Sequence, residues 1–211
     1  MKLSSMFTGL AAGFLAVTSV VASPMPINDI SSLDTLDTFD TFEKRSTNDV
    51  IAAIHEISDK LTELNNTATD YVGGIKGATK AIKIQILSKK VLKALEKATD
   101  ATNDIEEPKI GLGPSLDISV NMLQLLPRIT STLDTLVSKA DEFAKGVLGT
   151  GLVPLNGIVR KSLEDQQEKA NEFSEALIPK LEEIFATVAP LITNTINNSF
   201  NRAIEVFSEE K

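Results

Sequence analysis

The chain has 211 residues, 21 basic against 29 acidic, for a net charge of −8, with no cysteine and a single histidine. That balance argues against general nucleic-acid binding, which needs a basic footprint. Without cysteine there is no thiolate metal ligand and no thiol nucleophile, and His55 alone cannot build a His-rich zinc site or serve a nucleophilic triad that no Ser or Asp spacing supports.

The N-terminus has one positive charge at Lys2, then an apolar run from Met6 to Ala22 closing on small residues. This three-part pattern predicts a secretory signal over residues 1–22, cut after Ala22. The run is short for a bilayer span, and Pro24 and Pro26 would end a helix soon after it. Residues 23–45 are acidic and repeat an apolar-Asp-Thr triplet from Leu33 to Phe42. A period of three matches neither helix nor strand, so the tract reads as an unpacked pro-segment. Lys44-Arg45 at its end reads as a dibasic processing site, with cleavage after Arg45 preferred over two ordinary surface charges. Residues 1–45 hold three basic and five acidic residues, which leaves 18 against 24 over residues 46–211. That remainder is long enough for one domain with a real core and needs no disulfide. The terminal Ser208–Lys211 has no hydrophobic tail, which predicts that there is no GPI anchor.

The first predicted helix is capped at Thr47-Asn48 and ends at Gly73-Gly74. Its stripe is Val50, Ile54, Ile57, Leu61, Leu64, Ala68 and Tyr71. His55 falls beside polar positions and reads as a surface residue. The second helix, about Ile75 to Asn103, places Ile75, Ala78, Ile82, Ile86, Val91, Leu95 and Ala98 on one stripe, widened by Ile84 and Leu87. Lys76, Lys80, Lys83, Lys90 and Lys97 line another side, either as a solvated face or as a cationic strip toward an anionic surface. After the Gly/Pro loop at 104–114, Ser115 caps a third helix with the stripe Leu116, Val120, Leu123, Leu126, Ile129, Leu133, Leu136, Ala140 and Phe143. Pro127 inside it predicts a kink or break near Leu126.

A second loop, 146–154, precedes a fourth helix with Leu155, Val159, Leu163, Gln166, Ala170, Phe173 and Leu177 in phase. Gln166 occupies an apolar phase, so its amide needs a neighbouring group, a water or the polar end of a ligand. Past Pro179, a fifth helix carries Leu181, Phe185, Val188, Ile192, Ile196, Phe200, Ile204 and Phe207, with Pro190 predicting a kink. No segment alternates with period two for long enough to be a strand. The expected fold is all-α, a single bundle of about five amphipathic helices over residues 46–211. Two sequons, at Asn65 and Asn197, are glycan acceptor candidates in a secreted chain.

From about Asp49 to Phe207 the chain resembles the fungal hydrophobic surface binding protein A family, also called cell wall galactomannoproteins. The resemblance rests on Asp49-Val50-Ile51 with Ile54, Ile57 and Leu61, on Phe173-Ser174-Glu175-Ala176-Leu177, and on Phe200-Asn201-Arg202-Ala203-Ile204. It implies a bundle that can hold a long-chain fatty acid or other lipid. It also implies adsorption to hydrophobic surfaces and help to a secreted esterase or cutinase. The chain departs from the family in having more Lys and Glu, and in lacking a Ser/Thr-rich tail, which puts a covalent wall linkage in doubt. The candidate lipid-binding residues are Ile86, Leu123, Phe143, Gln166, Phe173, Leu177 and Phe200. No cofactor, metal site or transmembrane anchor is expected, and the chain reads as secreted, either free or associated with the cell wall. A binding protein is expected rather than an enzyme, because no carboxylate pair or other constellation marks a reaction site. The alternative is a structural or antigenic wall mannoprotein without a specific ligand.

Overall fold

The computed structural model describes residues 36–146 and 155–208, with side chains described from Thr47 onward. The expected signal peptide with its end at Ala22, the tract up to residue 35 and most of the second loop lie outside the described residues. Among the described residues six α-helices follow one another: α1 Leu36–Thr69, α2 Gly74–Asn103, α3 Leu112–Ser138, α4 Ala140–Ala144, α5 Asn156–Leu177 and α6 Glu183–Ser208. A 3-10 turn, Ile178–Lys180, joins α5 to α6. The all-helical expectation holds, and no strand occurs among the described residues.

The five long helices close a ring in the spatial order α1, α2, α5, α6, α3. The α1 and α2 helices run antiparallel, held by Lys97 Nζ to Glu56 Oε2 at 2.8 Å and by Lys80 to Asp70 at 3.2 Å. Side by side, α2 and α5 pack extensively along their lengths. Gln167 donates to Asn201 Oδ1 and Asn197 to Asn171 Oδ1, both at 2.8 Å, which sets α5 against an antiparallel α6. Glu182 N–H to Ser115 Oγ at one end and Arg202 to Asp134 at the other make α3 and α6 parallel neighbours. Arg128 to Thr62 Oγ1 and Thr132 Oγ1 to the Leu61 carbonyl bring α3 back to α1.

Both ends of the ring are plugged. At one end the loop after α2 is stapled to the α5–α6 corner. Lys180 Nζ donates to the Ile105 and Glu107 carbonyls, and Lys109 Nζ donates to the Leu181 carbonyl. At the other end Tyr71 is fully buried and stacks on Phe143 of α4 with ring centroids 4.6 Å apart. Phe143 in turn meets Phe207 edge-on at 5.8 Å. Gly74 has φ +70° there, the left-handed conformation that glycine tolerates, and pairs with Gly146 in an isolated bridge.

Several boundaries differ from expectation. Thr47 and Asn48 do not cap the first helix but lie within it, because no Gly or Pro interrupts Leu36–Thr69. Thr and Asp cost a helix interior only ~0.7 kcal/mol or less each, so the backbone stays helical through Lys44-Arg45. That helix ends at Thr69, ahead of the glycines expected to end it, and Tyr71 belongs to the connection. Ser115 is not a cap either: α3 starts at Leu112, and the buried Ser115 hydroxyl donates to the Ile110 carbonyl. Pro127 and Pro190 lie inside helices that continue past them, so of the kink or break expected near Leu126 the break does not occur. Around Pro127 the buried Leu125, Leu126 and Ile129 anchor both flanks to the core, which offsets the lost backbone hydrogen bond. The third stripe is divided instead at Lys139, so that Phe143 sits on the separate α4.

Candidate functional site

The site follows from which faces the ring turns inward. The stripes of α1, α5 and α6 point inward at almost every expected position: Val50 to Leu64 on α1, Leu163, Phe173 and Leu177 on α5, and Phe185, Ile196, Phe200 and Phe207 on α6 are buried. Phe143, Phe173, Leu177 and Phe200 therefore belong to one continuous apolar core. Ile86 does not: it is 49 % exposed, with Ile82 at 46 % and Ile75 at 84 %. The inward phase of α2 is set by Ile84, Leu87, Val91 and Leu95, and a residue two positions from Ile84 lies on the far side of a helix with 3.6 residues per turn. On α3 the inward residues are Ile118, Leu125, Leu126, Ile129 and Leu133. Leu123 is half-buried at the margin, and Leu116 and Val120 are exposed.

Between α2, α4 and α5 the core leaves a void of about 30 Å³. Ala81, Ile84, Leu136, Phe143, Val159 and Leu163 supply its apolar wall. Gln85, Ser88 and Ser162 are the polar residues that line the same space. Gln166, 3 % exposed, stands one turn beyond Ser162 and donates its Nε2 to Ser162 Oγ at 3.1 Å. The inward amide thus has a neighbouring side chain as partner. Space for one water is about 10–15 Å³ on this measure, and an engineered benzene site is ~150 Å³. A long acyl chain therefore fits only if α2 and α5 move apart.

A larger cleft, about 670 Å³ and open to solvent, runs between α1 and α3. Most of its lining residues are polar, including Ser58, Thr62, Asn65, Asn121, Gln124 and Thr132, with Arg128 beside them. His55 lines its rim as an exposed residue, in keeping with its sequence reading. The Asn65 side-chain oxygen is enclosed without a hydrogen-bond partner. At the second sequon, the Asn197 amide nitrogen that would carry a glycan is committed to Asn171 across the α5–α6 contact.

A third feature was not foreseen in the sequence. Leu116 lies about five full turns before Asp134 on α3, and Ile184 about five before Arg202 on α6. Asp134 and Arg202 face each other, so the exposed Leu112, Leu116 and Val120 line the same groove as the exposed Ile184 and Leu191. The signal was available in the sequence as leucines on two phases of α3, but the neighbour that settles it comes from a distant helix. Among the described residues no helix is long and apolar enough to cross a membrane.

A family model described as hydrophobic surface binding protein A matches residues 47–179. No curated protein sequence matches the chain. Among solved structures, Afmp4p in complex with palmitic acid is similar with a TM-score of 0.69 and 19 % identity, over 76 % of this chain and 99 % of that one. Ligand binding domain 1 of the Penicillium marneffei MP1 protein, complexed with arachidonic acids, gives 0.68 and 21 % over 78 % and 99 %. Domain 2 of the same protein, complexed with multiple arachidonic acids, gives 0.66 and 19 % over 75 % and 94 %. At these identities the likeness establishes a shared fold.

Proposed function

Because the chain belongs to the hydrophobic surface binding protein A family, we propose that it binds a long-chain fatty acid or similar lipid between the helices of its bundle. The observation that carries this reading is the void between α2 and α5, apolar on most sides and faced by Ser88 and Ser162. The acid's head group hydrogen-bonds to Ser162, positioned by Gln166, while its chain runs among Phe143, Phe173, Leu177 and Phe200. Each buried methylene contributes ~0.8 kcal/mol, which is the driving force for parting α2 from α5. Both ends of the ring are plugged, so entry is lateral. The solved structures of this fold with palmitic and arachidonic acids support the ligand class. The test is titration of the delipidated protein with a fluorescent fatty acid. Saturable binding, displaced by unlabelled acid, is expected, and its absence would sink the carrier reading.

A second reading is favoured by the exposed apolar groove of α3 and α6: adsorption to a hydrophobic surface, where the protein aids a secreted esterase or cutinase. Adsorption to polyester beads that a Leu116→Asp/Leu191→Asp variant loses is the expected result. We also place the protein outside the cell, released after the signal and after Arg45, as a binder rather than a catalyst. Cell-wall fractionation separates a free protein from a wall-retained one, and peptide mapping reads the occupancy of Asn65 and Asn197.

A further inference from the structure

The outward face of α2 has a composition at odds with the rest of the molecule. From Gly74 to Leu95 the helix carries six lysines and no acid, in a chain whose net charge is −8. Its exposed positions over that stretch are Ile75, Lys76, Thr79, Ile82, Lys83, Ile86, Lys89, Lys90 and Lys93. Ile75, Ile82 and Ile86 are spaced by two turns and one turn, and Lys89 and Lys93 continue the same line. The isoleucines are a row on the side opposite the core, with ammonium groups in line and along one flank. Lys80 pairs with Asp70 at the start of the helix and Lys97 with Glu56 near its end. Lys76, Lys83, Lys89, Lys90 and Lys93 form no salt bridge among the described residues. On the neighbouring α1, Glu63 feels the charges of Lys83 and Lys90 but is already bonded to Lys60.

Such a row is poorly matched to water and well matched to a lipid interface. Exposed isoleucines gain by entering the acyl boundary, and lysine stems lie along apolar surface while their ammonium groups reach phosphate. We propose that the outward face of α2 docks the protein on anionic lipid surfaces. Charge complementarity selects the occupant: a neutral hydrophobic solid would accept the isoleucines and leave the lysines unpaired. The docking face lies on the helix that must part from α5 to admit a ligand, so an occupied interface sits beside the route of transfer. It does not depend on the interior binding, which is measured separately.

The test uses protein purified from the medium of secreting cells and vesicles of phosphatidylcholine, with and without phosphatidylglycerol. Co-sedimentation only with the anionic vesicles, weakening as salt is raised, is expected. Each lysine near an anionic surface changes partitioning about five-fold, so Lys83→Glu/Lys89→Glu/Lys93→Glu weakens it at least about 100-fold. The same variant keeps its fatty-acid binding in solution. The chain has no tryptophan, so Ile82→Trp supplies a single reporter whose emission shifts to the blue on anionic vesicles. Equal binding to both vesicle types, binding to neither, or unchanged binding by the charge-reversed variant overturns the proposal. Capture by a soluble polyanion as tight as by vesicles, with no blue shift, assigns the lysines to a polymer and also overturns it.

Discussion

Tyr71 is the only tyrosine in the chain and is fully buried between the end of α1 and α4. Burial raises its phenol above the ordinary value, with the Glu142 charge adding to the effect. The folded state therefore holds the phenolic proton more tightly than the unfolded state does. Stability is full below the ordinary tyrosine value of about 10 and falls as pH rises from there through the folded value. Phenolate absorbance is expected to titrate above pH ~10, and Tyr71→Phe to reduce the alkaline slope of denaturant midpoints, the remainder belonging to lysines such as Lys60 and Lys97 whose ion pairs raise them. Gln166 tests the ligand reading at the same scale. A Gln166→Leu variant keeps the apolar phase of α5 and frees Ser162 from its donor. It is expected to fold with stability within about 1 kcal/mol of the parent, while fatty-acid affinity falls about ten-fold. Equal affinity in a fluorescent fatty-acid titration would remove the Ser162–Gln166 pair from the site.

The junctions between helices depend on contacts that no single helix predicts. A methyl group on Gly77 would sit 2.2 Å from the Val72 carbonyl oxygen and 2.8 Å from the Tyr71 ring. Backbone on one side and a stacked ring on the other leave no room to yield. Gly77→Ala is thus expected to lower the thermal midpoint although alanine is the better helix former. Lys180 closes the opposite end of the ring by donating to two loop carbonyls. Lys180→Met keeps the stem and leaves those carbonyls unpaired, with an expected loss of ~1.5–3 kcal/mol in denaturant unfolding. If the ends are plugs and entry is lateral, fatty-acid on-rates in that variant stay close to the parent's.

At the scale of the whole molecule, the long α1 separates two questions that the dibasic pair joins. Its helical backbone continues through Lys44-Arg45, yet the described core of α1 begins at Thr47 and Val50. A chain starting at Ser46 is therefore expected to unfold in one cooperative transition, with helical circular dichroism per residue close to that of the longer form. Loss of cooperativity would assign residues 36–45 to the folded unit instead of to a removable segment. The closed ring also explains how one fold can carry two kinds of lipid contact. The void between α2 and α5 is small, and apolar side chains remain outside on the α3–α6 groove and on α2.

How much of this was legible in the sequence differs from helix to helix. In α1 and α5 the apolar residues occupy one phase with polar residues opposite, so a period of 3.6 sufficed to place Ile54, Leu163 and Phe173 in the core, and even Gln166 inward; in α6 the same period placed Phe200 in the core but left Ile184 and Leu191 off that phase and outside. The helical class followed from the same periodicity. In α2 and α3 apolar residues stand on opposite sides of the helix, and the period alone has no means of ranking Ile84 above Ile86 or Leu125 above Leu116. That ranking is a tertiary event. It is made by α5 packing on one side of α2 and by α6 lying alongside α3, with partners 60 or more residues away in the chain. The sequence by itself therefore determined an exported-looking, cysteine-free bundle and most of its core. Only the folded ring decided which stripes were left outside, because a helix with two apolar faces buries the one its neighbours cover.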